Sequence, residues 1–205
     1  MTMKGLFITF EGIEGCGKST QAGFLSDYLL SKGRKVVMTR EPGGTDLGNA
    51  VRKLILDSGH VYPVAELLLF LADRNQHIRE IILPALGNGI TVICDRFYHS
   101  TFAYQIGGRK LDPDLVITLN NASIEGLKPD ITFLLDIPAE TGFERKKKSD
   151  MKLDRIEKET LDFHKSIRHY YLKLAESDKI IKLLDGSQDK EIILAQIKEI
   201  TDRMI

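Results

Sequence analysis

Cysteine is scarce in this chain, net charge is absent, and no apolar run is long enough to cross a membrane. Two thiols, Cys16 and Cys94, are too few for a disulfide framework. Neither shows the spacing of metal ligands, so a reducing cytoplasm is the expected compartment. Lysine and arginine total 29, as do aspartate and glutamate. That balance lacks the basic excess a sequence-independent nucleic-acid binder needs, and no nucleic-acid partner is expected. The longest apolar stretches fall well short of a membrane span, and the first residues carry no signal-peptide pattern, so no membrane partner is expected. No internal repeat, linker or low-complexity tract divides the 205 residues. One domain over 1–205, with room for a full core, is the simplest reading.

What is present is alternation. Short apolar runs rich in Val, Ile, Leu and Phe occur at Leu6–Phe10, Lys35–Thr39, Thr91–Cys94, Ile131–Ile137 and Ile180–Leu184. They show little period-2 patterning, as strands covered on both faces do. Helical patterns lie between them, near 18–32, 47–57, 63–86, 99–105, 113–126, 139–147, 154–176 and 188–203. Asp154 followed by Glu157 resembles a capping box that would open the seventh of these. The order predicts an α/β fold: a doubly wound, five-stranded parallel sheet with helices on both faces.

Residues 12–20 read Gly-Ile-Glu-Gly-Cys-Gly-Lys-Ser-Thr. Gly12 to Ser19 fits G-x-x-x-x-G-K-[ST] without a mismatch, with a strand before it and a helix after it. Gly12, Gly15 and Gly17 allow backbone N–H groups to curl around phosphate oxygens. Ile13, Glu14 and Cys16 fill the variable positions, and Thr20 follows on the helix. Lys18 is expected to reach the β/γ-phosphates of ATP, and the Ser19 hydroxyl to ligate Mg²⁺. The pattern establishes nucleotide phosphate binding and leaves the class of P-loop protein open.

Other groups suggest a second substrate. In open α/β sheets ligands bind beyond the carboxyl ends of strands. Arg40 ends one strand, Asp95-Arg96 follows another, and Arg52 sits on the next helix. Arg40, Arg52 and Arg96 are candidates for a second phosphate, and Asp95 for orienting Mg²⁺ or a neighbouring Arg. Along the helix 63–86, about 100° per residue places Val64, Leu67, Leu68, Leu71, Ile78 and Ile82 on one core stripe. Phe70 and Arg74, at i and i+4, share a different face, where a ring and a guanidinium could meet a base; ordinary core and a solvated charge are the alternative. Ser100 with Tyr104, and Thr101 with Gln105, repeat the i,i+4 spacing and could line one pocket. His99 is expected at the surface.

Taken together, these pieces resemble thymidylate kinase over essentially the whole chain. The motifs are residues 10–20, Thr-Arg-Glu-Pro-Gly-Gly-Thr at 39–45, Leu-Leu-Phe-Leu-Ala-Asp-Arg at 68–74, Asp-Arg-Phe at 95–97, Ser-Thr-Phe-Ala-Tyr-Gln at 100–105 and Leu-Asp-Arg-Ile-Glu at 153–157. The resemblance implies a P-loop NTPase fold and a Mg²⁺-dependent transfer of the ATP γ-phosphoryl to dTMP in a cytoplasmic homodimer. It implies that Glu14 meets the dTMP 3′-hydroxyl, Phe70 stacks on thymine and Arg74 bonds its edge. Arg52 and Arg96 would hold the acceptor phosphate. Ser100, Thr101 and Gln105 would line the base, and Tyr104 would crowd the sugar 2′ position.

A lid is expected near 143–156. Members of the family without Arg in the phosphate loop usually carry several in the lid, yet this segment is mostly lysine, and Asp150 stands where Arg would be common. Arg155 or Lys148 is expected to cover the transferring phosphoryl group. Catalysis would then be in-line positioning and charge neutralisation, with no general base. Two other readings are a kinase with a different small acceptor and a P-loop switch protein. The second would need a guanine-reading Asn-Lys-x-Asp, which the chain lacks.

Overall fold

The computed structural model describes residues 5–148 and 154–205. Its centre is one parallel sheet of five strands: β1 (Phe7–Glu11), β2 (Val36–Arg40), β3 (Thr91–Asp95), β4 (Ile131–Asp136) and β5 (Ile181–Asp185). Their spatial order is β2-β3-β1-β4-β5. The chain builds β1, β2 and β3 on one side and then crosses to place β4 on the other. That reversal beside β1 is the switch point at which an α/β sheet opens a crevice. Register fixes what meets there. Phe10 pairs with Asp95, and Arg40 also pairs with Asp95, so the β1, β2 and β3 ends lie side by side.

The three inner strands are the apolar runs predicted to be covered on both faces, and β1 is buried throughout. The edge strands depart from that expectation. β2 and β5 are covered only in part, and Met38 and Leu183 are more than half exposed. An edge strand has no neighbour on one side, so less of it is covered.

Nine α-helical segments connect the strands among the described residues. They are α1 (Lys18–Ser31), α2 (Asp46–Asp57), α3 (Pro63–His77), α4 (Leu83–Gly87), α5 (Tyr98–Thr101), α6 (Pro113–Ile124), α7 (Ala139–Lys148), α8 (Leu161–Ser177) and α9 (Lys190–Asp202). The predicted helix 63–86 is present with one change: a π-helical turn at Ile78–Ile82 joins α3 to α4. Its predicted stripe holds at four of six positions. Leu67, Leu71, Ile78 and Ile82 are buried, whereas Val64 and Leu68 are 44% and 51% exposed. A second π-helical turn, Phe102–Gly108, continues α5.

The helix predicted from 154 begins at Leu161, capped by Thr160. Asp154 and Glu157 do exchange capping-box bonds: Glu157 N donates to Asp154 Oδ1 at 2.8 Å and Asp154 N to Glu157 Oε2 at 3.1 Å. These bonds close a turn, which ends before the helix starts.

Candidate active site

The phosphate loop leaves β1 at Gly12 and enters α1 at Lys18. Its glycines answer to backbone geometry. Gly12 has φ +136°, and a Cβ there would sit 2.5 Å from the carbonyl oxygen of Leu135. Gly15 has φ +75° and equally close contact with the backbone of Gly142. No L side chain fits at either place. Lys18 Nζ folds over the loop and donates to Gly12 O at 3.0 Å and Ile13 O at 2.8 Å. Gly12, Ile13 and Cys16 pack behind the loop, with Ile13 and Cys16 in the core. Glu14, Gly15, Gly17, Lys18, Ser19 and Thr20 face a single cleft of about 440 Å³.

Opposite the loop, the same cleft gathers every residue proposed from sequence for a second substrate. Arg40, Arg52, Phe70, Arg74 and Arg96 line it, as do Ser100, Thr101, Tyr104 and Gln105. Arg40 ends β2, Arg52 lies on α2, and Phe70 and Arg74 lie on α3. The π turn presents Tyr104 and Gln105, and Arg109 N bonds Tyr104 O at 2.7 Å across five residues. That wider turn rotates the following residues relative to a regular helix, as π turns at functional sites do.

Electrostatics divide the cleft. Arg52 donates to Pro42 O at 3.0 Å. Burial depresses its pKa, and the nearby positive charges of Arg40 and Arg96 depress it further. Asp154 and Asp95 offset part of that repulsion, and a bound phosphate would offset more. Arg96 has φ +73°, uncommon for a residue with a side chain. Its backbone is pinned by Arg96 N bonding Phe10 O at 2.9 Å, and the following Phe97 N bonds Glu11 Oε1 at 2.8 Å. Its side chain donates to Gly12 O at 3.0 Å, Ser100 Oγ at 3.2 Å and Glu14 Oε1 at 3.1 Å.

Arg74 is 2% exposed, so it is not a solvated charge. Its Nε donates to Glu41 Oε2 at 2.8 Å, and its Nη1 donates to Thr101 Oγ1 at 2.7 Å and Asn120 Oδ1 at 2.9 Å. Those bonds fix the guanidinium rigidly in the cleft wall. Gln105 Nε2 donates to Glu66 Oε1 at 2.9 Å. Glu14 accepts from the Tyr104 hydroxyl as well as from Arg96. Burial would raise the carboxyl's pKa, but the His164 contact, Arg96, Lys18 and Tyr104 together hold it well below the usual range.

Ser19 Oγ donates to Asp95 Oδ2 across the cleft floor. Two hard oxygens side by side, next to Lys18, suit Mg²⁺, which is commonly held by one or two protein oxygens plus substrate phosphates. Among the described residues no cluster of three or more His, Cys, Asp or Glu could cage a metal without such phosphates.

The lid cations differ from expectation. Arg155 does not line the cleft. Its Nε donates to Ile55 O at 2.8 Å and its guanidinium pairs with Glu66 on α3. Lys148 ends α7 and also stays off the cleft lining. The cations that do line it are Arg145 and Lys146. Arg145 Nη1 donates to Gly15 O and Gly186 O, each at 3.3 Å, and so spans the phosphate loop. Asp150 and the rest of 149–153 lie outside the described residues.

Sequence reading missed several groups. Glu11 is fully buried and accepts from Ser100 Oγ at 2.6 Å and the Tyr171 hydroxyl at 2.8 Å. Glu41, Glu66, Asn120, His164 and Tyr171 also escaped notice. An acid ending a buried strand, as Glu11 does, was the one signal available. His99 is buried, not at the surface; its Nε2 lies 3.3 Å from Asp178 Oδ2.

Comparison with known proteins agrees with this geometry. A family model described as Thymidylate kinase matches residues 10–197. The thymidylate kinase of Halothermothrix orenii is 48% identical over 198 residues, covering 95% of each chain. That of Desulfovibrio desulfuricans is 46% identical over 202 residues, covering 94% of this chain and 93% of its own. The crystal structure of thymidylate kinase from Ehrlichia chaffeensis superposes with a TM-score of 0.79 at 33% identity, over 97% of this chain and 99% of that one. A match spanning nearly all of the sequence, with a cleft furnished for two phosphorylated ligands, means that this chain belongs to the thymidylate kinase family.

Proposed function

We propose that the enzyme moves the γ-phosphoryl group of ATP to dTMP, giving dTDP and ADP. The observation that carries this reading is the single cleft shared by a phosphate loop and a facing arginine group, with an aromatic and a buried guanidinium at its far end. The phosphate loop and Lys18 take the donor phosphates. Arg52 and Arg96 take the acceptor phosphate, with Arg40 beside them. Phe70 stacks on the base, and Arg74 reads its edge together with Ser100, Thr101 and Gln105. Glu14 receives the sugar 3′-hydroxyl, and Tyr104 crowds the 2′ position.

The nucleophile is a phosphate oxygen already ionised at neutral pH, so proton abstraction is not part of the task. What the protein supplies is alignment and charge. Arg96 and Arg52 bring together two anions that would repel in water. Lys18 stabilises charge developing on the transferring group. Ser19 and Asp95 would hold Mg²⁺, which supplies charge neutralisation on the phosphates when bound. Arg145 and Lys146 are the lid cations whose position favours a role over the phosphates; Arg155 is better suited to holding the lid's base. Closure of the segment 143–156 would exclude water and suppress ATP hydrolysis.

We also propose a cytoplasmic homodimer. Leu47 and Leu54 on α2, Val64 and Leu68 on α3, and Leu115 and Ile117 on α6 are exposed on helices that pack side by side. An apolar surface of this kind favours association. Sedimentation of the purified protein should give twice the chain mass, and Leu68→Glu should shift it towards monomer; a monomeric parent would remove the proposal.

The function is tested by an acceptor panel with ATP. A clear preference for a nucleoside or for another monophosphate would overturn it.

A further inference from the structure

His164 belongs to none of the roles above, yet it faces the acid of the phosphate loop. It lies in the first turn of α8 with a side chain 5% exposed, and its Nδ1 is 3.2 Å from Glu14 Oε2. The other oxygen, Oε1, is taken by the Tyr104 hydroxyl and by Arg96 Nη2 at 3.1 Å. Three elements thus hold one carboxylate, and His164 alone among these partners faces Oε2. Both Glu14 Oε2 and His164 Nε2 are buried without an aligned hydrogen bond. The imidazole is walled by the rings of Phe143 and Phe163, 6.2 and 5.6 Å away. Its polar contact is therefore concentrated on Glu14. Arg96 and Tyr104 hold Oε1, and the His164 contact on the opposite oxygen narrows the remaining rotation of the carboxylate. Among the influences that lower the Glu14 pKa against burial, the His164 contact is the largest.

We propose that His164 is a positioning residue for acceptor selection, holding Glu14 Oε2 so that the carboxylate is aimed at the acceptor sugar's 3′-hydroxyl. This rests on the reading of Glu14 given above. The test compares dTMP with its 3′-deoxy analogue in the parent enzyme and in His164→Leu, His164→Asn, His164→Gln and Glu14→Gln. In His164→Leu the KM for dTMP should rise about tenfold, with kcat changed less and the KM for the analogue shifted less than about twofold. Asn places an amide N–H near the position of Nδ1, so His164→Asn should stay within about threefold of the parent. Gln reaches instead towards the Nε2 position, so His164→Gln should behave as the Leu variant does.

Equal losses on both acceptors in His164→Leu would assign His164 to packing and overturn the inference, as would no loss on either. If the Leu variant does not fold, the contrast between Asn and Gln decides, and identical KM values in those two would overturn it. If Glu14→Gln costs dTMP no more than the analogue, the reading of Glu14 itself fails and takes the inference with it. If Glu14→Gln discriminates and the His164 variants do not, only the inference fails.

Discussion

At the scale of single residues, the cleft combines groups that would be unfavourable alone. Lys18 has its charge over loop carbonyls, and the phosphates it serves would replace them as partners. Lys18→Ala should lower kcat by at least about a hundredfold, as losing a preorganised charge donor does, while dTMP binding changes little. Normal turnover would contradict the loop assignment. Arg96→Ala removes a proposed clamp on the acceptor phosphate and one partner of Glu14. It should raise the KM for dTMP and slow the reaction as well; steady-state kinetics with both unchanged would take Arg96 out of the site. Asp73 shows a different kind of strain. Burial, with the charge of Glu41 beside it, pushes its carboxyl up to about 7, although Gly43 N, His77 and Arg74 pull the other way.

The folded state therefore holds this proton more tightly than the unfolded chain. Between about pH 4 and 7 the native protein carries the extra proton, so stability falls as pH rises through that window and levels off above it. Asp73→Asn keeps an acceptor for Gly43 N and removes the ionisation. It should raise stability at pH 8, by on the order of 2–4 kcal/mol, and flatten the slope between pH 4 and 7. Chemical denaturation across pH checks this, and an unchanged slope would refute it.

At the scale of elements, Arg155, expected to act on phosphate, makes its contacts with two helices. Arg155 N bonds Leu56 O at 3.2 Å and its Nε bonds Ile55 O, the unpaired carbonyls at the C-terminal end of α2. Its guanidinium meets Glu66 on α3, which is 1% exposed and also grips Arg109. Arg155 thus ties the base of the lid to α2 and α3. Arg155→Ala should cost about 1–3 kcal/mol of stability, since Arg109 continues to neutralise Glu66. It should leave kcat within a few fold in protein that remains folded. Thermal melts together with kinetics separate the roles; a collapse of kcat without loss of Tm would return Arg155 to the phosphates.

Arg155 also shows where sequence reading stops. The phosphate loop, the Asp95-Arg96 pair and the Phe70–Arg74 spacing were legible because each is contiguous or one helical turn long. Arg155 and Glu66 are distant in the chain, as are Glu14 and His164, and no local pattern announces such pairings. The exposed Val64 and Leu68 misled for a related reason: helical periodicity reports an apolar face and is silent on whether that face meets the core or another surface. The π turn at Phe102–Gly108 was invisible as well, although Ser100, Thr101, Tyr104 and Gln105 still converge on one cleft.

At the scale of the molecule, the sheet order explains why donor and acceptor meet. The ends of β1, β2 and β3 are neighbours through Phe10, Arg40 and Asp95. One strand delivers the phosphate loop, and the others deliver Arg40, Asp95 and Arg96. The switch point lies beside them, so two phosphorylated ligands can approach end to end. Discrimination among acceptors then falls to the far wall. The thymine methyl is worth about 1–3 kcal/mol in a fitted pocket, so dUMP should be phosphorylated with a kcat/KM lower by about 10–200-fold. The measurement that bears most directly on the whole account is kcat/KM for purified enzyme with ATP and each acceptor in turn: dTMP, dUMP, dCMP, dGMP, TMP in its ribose form, and thymidine. dTMP should lead the series, with dUMP behind it and thymidine inert for want of the phosphate that Arg52 and Arg96 are proposed to hold. A clear lead by any other acceptor would contradict the account.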